Sequence, residues 1–187
     1  MMNPFAQVLD ILIGLYITII LLRFFLQYFR ADFYNPLSQF TVKATDPFVK
    51  PLRKIIPGFG GLDISSLVLA YLVVLVKILL LSAFTGQFSI NPLFLLLYSV
   101  VDLMQSTLQL FMFLILIRVV LSWVSPAGYN PVVAVIGQIS EPVISKFRKL
   151  LPPMGGFDLS PMIALLLIFF LQSSLNYYIV PLIARLA

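Results

Sequence analysis

Asp10, Lys77, Asp102, Gln105, Gln109, Gln172 and Asn176 stand in stretches of sequence that are otherwise apolar. Charges and amides in such surroundings pair with one another, line an aqueous path or carry protons, because an unpartnered polar group in hydrocarbon is costly. A second set consists of Arg23 with Asp63 and Arg118 with Asp158, each Arg inside an apolar run and each Asp at the start of the next. The chemistry open to these groups is narrow. The chain has no His and no Cys, which excludes thiolate nucleophiles, disulfides, imidazole acid/base work, Cys/His zinc sites and His-ligated haem within it. No catalytic residue, metal or cofactor is expected, and Asp63 with Ser65 or Asp158 with Ser160 have a sufficient explanation as helix caps.

The elements that must position these groups are membrane spans. With 61% hydrophobic and 10% charged residues, the 187-residue chain has too little polar surface to cover a soluble globule. A bilayer core needs about 20 apolar residues per helix, and four stretches approach that length: 8–29, 64–84, 93–124 and 159–180. The first carries Asp10 and is preceded by no Lys or Arg, so it is expected to stay in the mature protein rather than be cleaved as a signal.

Displacing the chain along itself by 95 positions superposes Tyr34-Asn35-Pro36 on Tyr129-Asn130-Pro131, and Arg53-Lys54-Ile55-Ile56-Pro57 on Arg148-Lys149-Leu150-Leu151-Pro152. Gly60-Gly61-Leu62-Asp63-Ile64-Ser65 falls on Gly155-Gly156-Phe157-Asp158-Leu159-Ser160 in the same register. One unit is therefore present twice, as residues 1–90 and 91–187. Two spans per unit insert both copies in the same direction, as parallel repeats about an axis along the membrane normal. The expected fold is an all-α membrane protein of four transmembrane helices in two parallel tandem repeats, each repeat with a basic amphipathic segment between its spans.

Basic residues report the orientation. Arg30, Lys43, Lys50, Arg53 and Lys54 lie between the first two spans, and Lys146, Arg148 and Lys149 between the last two, whereas Thr85 to Pro92 carries no charge. The positive-inside tendency puts both inter-span segments in the cytoplasm and both termini outside, with Arg185 as a weak counter-signal. Apolar Leu37, Phe40, Ala44, Phe48, Leu52 and Ile55 recur at helical spacing, which predicts a helix in the membrane interface. On that helix and its counterpart, Lys50, Arg53, Lys54, Lys146, Arg148 and Lys149 are the candidates for docking lipid or a partner. An acidic residue before Pro47 and before Pro142 predicts two short helices per segment, with Pro51 kinking the first copy further.

The 95-residue offset also predicts contacts. Asp10 falls on Gln105 and Lys77 on Gln172, so Asp10 is expected against Lys77 and Gln105 against Gln172, with Arg23 against Asp63 and Arg118 against Asp158. Asp102, Gln105, Ser106 and Gln109 form one polar face of the third span, which Gln172 and Asn176 of the fourth could meet.

The twice-repeated order of embedded Arg, basic segment, Pro, Gly-Gly, Asp-hydrophobic-Ser and second span resembles the YggT family of integral membrane proteins. The matching residues are Arg23, Pro47, Arg53, Pro57, Gly60, Gly61, Asp63 and Ser65, then Arg118, Pro142, Arg148, Pro152, Gly155, Gly156, Asp158 and Ser160. The resemblance implies a multi-pass protein of the bacterial inner membrane, with single-repeat relatives tied to cytochrome b6 maturation or to division and nucleoid distribution. A role in osmotic or ion homeostasis is implied on the bacterial side, and no catalytic residue is carried over. Two readings stay open: a non-enzymatic assembly scaffold docking membrane lipids or other membrane proteins, and an oligomeric ion channel or transporter built from copies of this chain. Neither involves nucleic acid directly.

Overall fold

The computed structural model describes residues 4–86, 91–124, 130–149 and 158–186, and these are helical with short connections. In chain order they form α1 (Pro4–Tyr28), α2 (Pro36–Ile55), α3 (Ile64–Thr85), α4 (Pro92–Val124), α5 (Pro131–Arg148) and α6 (Ser160–Ser174). A π-helical turn, Leu175–Ile179, then leads into α7 (Val180–Leu186). The helices α1, α3, α4 and the composite α6–α7 are long and apolar enough to cross a membrane. At 33 residues α4 is about 50 Å long, more than a bilayer core of about 30 Å requires without tilt.

Local signals set the helix ends. Asn35 and Asn130 cap α2 and α5 alike: each side-chain oxygen accepts from the backbone N–H two residues on, and each is followed by a proline at the first helical position. Asp63 caps α3 by accepting from the Ser66 N–H, and Gly86 ends it in the left-handed region at φ 76°. Gly60 and Gly61 have φ of 61° and 85°, as the centre of a tight turn closed by the Leu62 N–H on the Phe59 carbonyl requires. Their counterparts Gly155 and Gly156 lie outside the described residues.

The end of α1 is less usual. Ala31 N–H bonds to the Leu26 carbonyl and Arg30 N–H to the Gln27 carbonyl, the two bonds of a Schellman stop. The left-handed position of that motif normally falls to glycine; here Arg30 occupies it at φ 51°, at a cost of about 1–2 kcal/mol.

The segments between spans were expected to break at Pro47 and Pro142, and they do not. Helices α2 and α5 each run unbroken past their prolines. A continuous buried face explains the difference: Ser38, Thr41, Thr45 and Val49 pass along α2 on both sides of Pro47, while Val135, Ile136, Ile139, Ser140 and Ile144 do so along α5 across Pro142. Contact with the spans along the whole stripe outweighs the one ladder bond each proline removes.

The two repeats share one core. Ile17, Ile20 and Leu21 of α1 pack with Val74 of α3, Ile115 of α4 and Ile139 of α5, and Phe25 of α1 meets Phe111 of α4 edge-on at 4.8 Å between ring centroids. Equivalent elements meet across the middle, α1 on α4 and α2 on α5. The Asn35 side-chain amide donates to the Pro131 carbonyl, joining the first turns of α2 and α5. Those turns follow the ends of α1 and α4, so the two copies run in the same direction. Outside this core Ile11, Leu12, Leu15, Val76, Phe169 and Phe170 are exposed, as helices facing acyl chains rather than water require.

Candidate functional site

Two polar clusters occupy opposite ends of the bundle. At the end where α1 meets α2, the Arg23 guanidinium inserts between three elements. Its Nη1 lies 2.9 Å from Asp46 Oδ1 and donates to Thr45 Oγ1 at 2.7 Å, while its Nε reaches Asp63 Oδ2 at 3.4 Å. Asp63 also takes Arg53 Nη2 at 2.7 Å and the Ser66 hydroxyl at 2.6 Å, and Lys50 closes on Asp46 at 2.7 Å. Arg23, Thr45 and Asp63 are buried, so span, interfacial helix and returning span are held by charge-assisted bonds out of water.

The same wiring recurs 95 residues later with one exchange. Arg118 pairs with Glu141 and donates to Ser140 Oγ at 3.1 Å, and Arg148 reaches Glu141 at 2.5 Å and Asp158 at 2.9 Å. The expected pairing of Arg118 with Asp158 is corrected by this geometry: Arg148 of α5 takes Asp158, and Arg118 is held by Glu141. In the first copy the span arginine bridges both carboxylates, whereas in the second the interfacial arginine does. Asp46 and Glu141 read from sequence as helix starts, yet they are the hubs of these clamps. The signal that could have found them is the 23-residue spacing from the span arginine, Arg23–Asp46 and Arg118–Glu141, present in both copies.

Burial opposes ionisation of the Asp46 carboxyl, but hydrogen bonds from Lys50 and Arg23 and their charges prevail and hold its pKa below the ordinary value. Glu141 follows the same course, with burial outweighed by Arg118 and then Arg148.

At the other end, Lys77 of α3 lies between Asp10 of α1 and Asp102 of α4. Its Nζ is 2.6 Å from Asp102 and 3.9 Å from Asp10, so the closer partner comes from the other repeat rather than from its own. The amides are also offset from their expected pairing of Gln105 with Gln172. Gln105 donates to Asn176 Oδ1 at 2.6 Å and Gln172 donates to Gln109 Oε1 at 3.2 Å, one helical turn away from the repeat-derived match. Asn176 lies in the π-helical turn, and Pro181 just beyond it has no N–H to give to the Tyr177 carbonyl.

Of the basic residues assigned to docking, Lys50, Arg53 and Arg148 are engaged in the clamps. Lys54, Lys146 and Lys149 are exposed and make no ion pair among the described residues. Around α2 three sectors follow one another: the buried Ser38, Thr41, Thr45 and Val49; the exposed aromatic and aliphatic stripe of Phe40, Phe48 and Ile55; and the charged side of Lys43, Lys50 and Lys54. Among the described residues no group of His, Cys, Asp and Glu is arranged to hold a metal ion.

Four apolar spans in two parallel copies, each with a charged interfacial helix clamped between its spans, define an α-helical membrane protein of duplicated architecture. The chain belongs to the CCB3/YggT family, whose model matches residues 2–84 and again 97–179. It is 50% identical over 163 residues to an uncharacterized protein of Pseudomonas aeruginosa, covering 85% of this chain and 81% of that one. It is 37% identical over 168 residues to the uncharacterized protein YggT of Escherichia coli K12, covering 90% and 87%. A shorter similarity, 34% over 64 residues, links 33% of the chain to 24% of the chloroplastic YlmG homolog protein 2 of Arabidopsis thaliana. No solved structure matches the chain.

Proposed function

We infer that this chain is a non-enzymatic multi-pass scaffold of the bacterial inner membrane, holding two basic helices in the headgroup layer where they dock anionic lipid and, through it, partner membrane proteins. The observation that carries the reading is the three-sector surface of α2: one side on the spans, an exposed Phe40–Phe48–Ile55 stripe suited to acyl chains, and a cationic side suited to headgroups. By the positive-inside tendency this end faces the cytoplasm and both termini face the periplasm. Lys54, Lys146 and Lys149 supply the docking charge, each worth about 1 kcal/mol near an anionic leaflet.

The test is lipid preference in nanodiscs of mixed phosphatidylglycerol and phosphatidylcholine. Replacing Lys54, Lys146 and Lys149 together by Gln is expected to reduce enrichment of phosphatidylglycerol around the protein. Enrichment equal to that of the wild type would sink the docking role.

Passage of ions is the second reading, and the buried Lys77–Asp102 pair inside the apolar spans favours it. Against it stands the side-chain partner that each of Lys77, Gln105, Gln109 and Gln172 already has, as interhelical glue would. Ion flux in proteoliposomes that disappears on Asp102→Ala or Gln172→Ala would favour passage over scaffolding.

A further inference from the structure

A cavity of about 560 Å³ opens between the end of α1 and the charged side of α2, within the range of about 300–1,000 Å³ typical of small-molecule sites. Four cations line it: Arg23, Arg30, Lys50 and Arg53. The carboxylates paired with them are Asp46 and Asp63, both already shared within the clamp, and the neighbouring Asp32 forms no ion pair among the described residues, so four cations stand against two paired carboxylates. Arg30 makes no ion pair among the described residues and stands in the left-handed position that a glycine would fill without strain. Strained residues of this kind collect at binding sites, where the position of the side chain matters more than the ease of the backbone. The remaining wall includes Leu26, Phe33 and Val42, an apolar lining that a freely hydrated anion would not use.

We propose that this cavity is a specific site for the headgroup of an anionic phospholipid, with the phosphodiester between Arg30, Lys50 and Arg53 and the glycerol–acyl junction against Leu26 and Phe33. Arginine suits this role because its planar fork donates two parallel bonds to phosphate oxygens. The site belongs to the first repeat alone. At the positions 95 residues on, Arg30 is matched by Ser125, Lys50 by Ser145, Gln27 by Ser122 and Phe33 by Gly128, while the clamp residues Arg23 and Arg53 are matched by Arg118 and Arg148. The duplication thus keeps the clamp in both copies and builds the surplus charge in one. The site rests on the reading of α2 as a headgroup-layer helix, and it sharpens that reading from diffuse attraction to one retained lipid per chain.

Arg30→Gly separates binding from folding, because glycine supplies the φ of 51° without strain and leaves the Schellman stop in place. The experiment is native mass spectrometry of the whole protein released from nanodiscs of phosphatidylglycerol and phosphatidylcholine, with thermal unfolding in lipid-free detergent as the control for folding. The wild type is expected to keep one phosphatidylglycerol, and Arg30→Gly to lose it at least about fivefold more readily with an unfolding temperature no lower than wild type. Lys146→Gln with Lys149→Gln, on the other copy, is expected to reduce general enrichment of phosphatidylglycerol while the one retained lipid stays. Equal retention by wild type and Arg30→Gly would overturn the site and leave the general docking reading standing. Absence of any preference for phosphatidylglycerol in the wild type would overturn both. Displacement of the retained lipid by low-millimolar inorganic phosphate would also overturn the proposal, by showing a site for free anion.

Discussion

The two clamps place two arginines, two carboxylates and a hydroxyl at the same spacing and sit in different surroundings. In the first copy the Arg23 side chain is 7% exposed and Asp63 fully buried, whereas in the second Arg118 is 27% exposed and Asp158 36%. Charges out of water interact strongly and are costly to leave single, while exposed pairs are screened and worth little. Equivalent clamps therefore carry more of the stability in the first repeat than in the second. The first copy also carries Lys77 where the second has Gln172, so its surplus of buried charge extends along the spans.

The sharpest way to break this comparison is to remove each span arginine in turn. Arg23→Leu removes the buried bonds to Thr45, Asp46 and Asp63 while Lys50 and Arg53 still neutralise the two carboxylates, and is expected to cost about 2–3 kcal/mol, while Arg118→Leu is expected to cost about 1 kcal/mol or less. Thermal unfolding in detergent measures both, and equal losses would end the distinction. Next in size, Lys77→Gln installs the second-copy residue type in the first copy and leaves Asp102 without its cation. A loss of about 2 kcal/mol is expected, recovered in part by Lys77→Gln with Asp102→Asn, because the stranded carboxylate is then gone. A double variant no better than the single one would show that Asp102 was never the partner that mattered.

Acid sharpens the comparison further. The folded pKa values of Asp46 and Glu141 lie below their unfolded ones, so their contribution is fully present above about pH 5 and is lost as pH falls through the lowered folded values. Asp46→Asn and Glu141→Gln should each flatten the acid limb of the stability curve, Asp46→Asn more so because its arginine, Arg23, is the more buried of the two. Identical acid limbs in the wild type and both variants would exclude these carboxylates as the origin of acid sensitivity. The smallest expected effect is that of salt: a double-mutant cycle on Arg148 and Asp158 should give less than about 1 kcal/mol and approach zero in 1 M NaCl. A cycle on Arg23 and Asp46 should retain most of its value, and a similar salt response in both pairs would count against the difference in burial.

Much of this arrangement was legible in the sequence because the 95-residue offset makes each feature appear twice. Four spans, their parallel order, the basic helices and the approach of Arg23 to Asp63 follow from apolar length and charge placement alone. What stayed hidden depends on contacts between the copies or on competition among several partners. Lys77 was assigned to Asp10 of its own repeat, but α3 packs on α4, which brings Asp102 closer. Placement of Arg118 and Asp158 at facing span ends predicts their pairing, yet Arg148 of α5 takes Asp158. The prolines of α2 and α5 were given the weight they have in isolated helices, and a buried stripe on both sides of each overrode it.

The bond from the Asn35 amide to the Pro131 carbonyl ties the matching turns of the two copies together across the middle of the molecule. Two identical chains associating about such an axis would carry every substitution on both sides of it at once, and their pairing would depend on concentration. Joined in one polypeptide, the halves meet at a fixed one-to-one ratio, and a new side chain lands on one side only. An ion pair such as Lys77 with Asp102, which crosses from one half to the other, or a lone Arg30 in the first half, can then occur once without a symmetric copy being forced on the molecule.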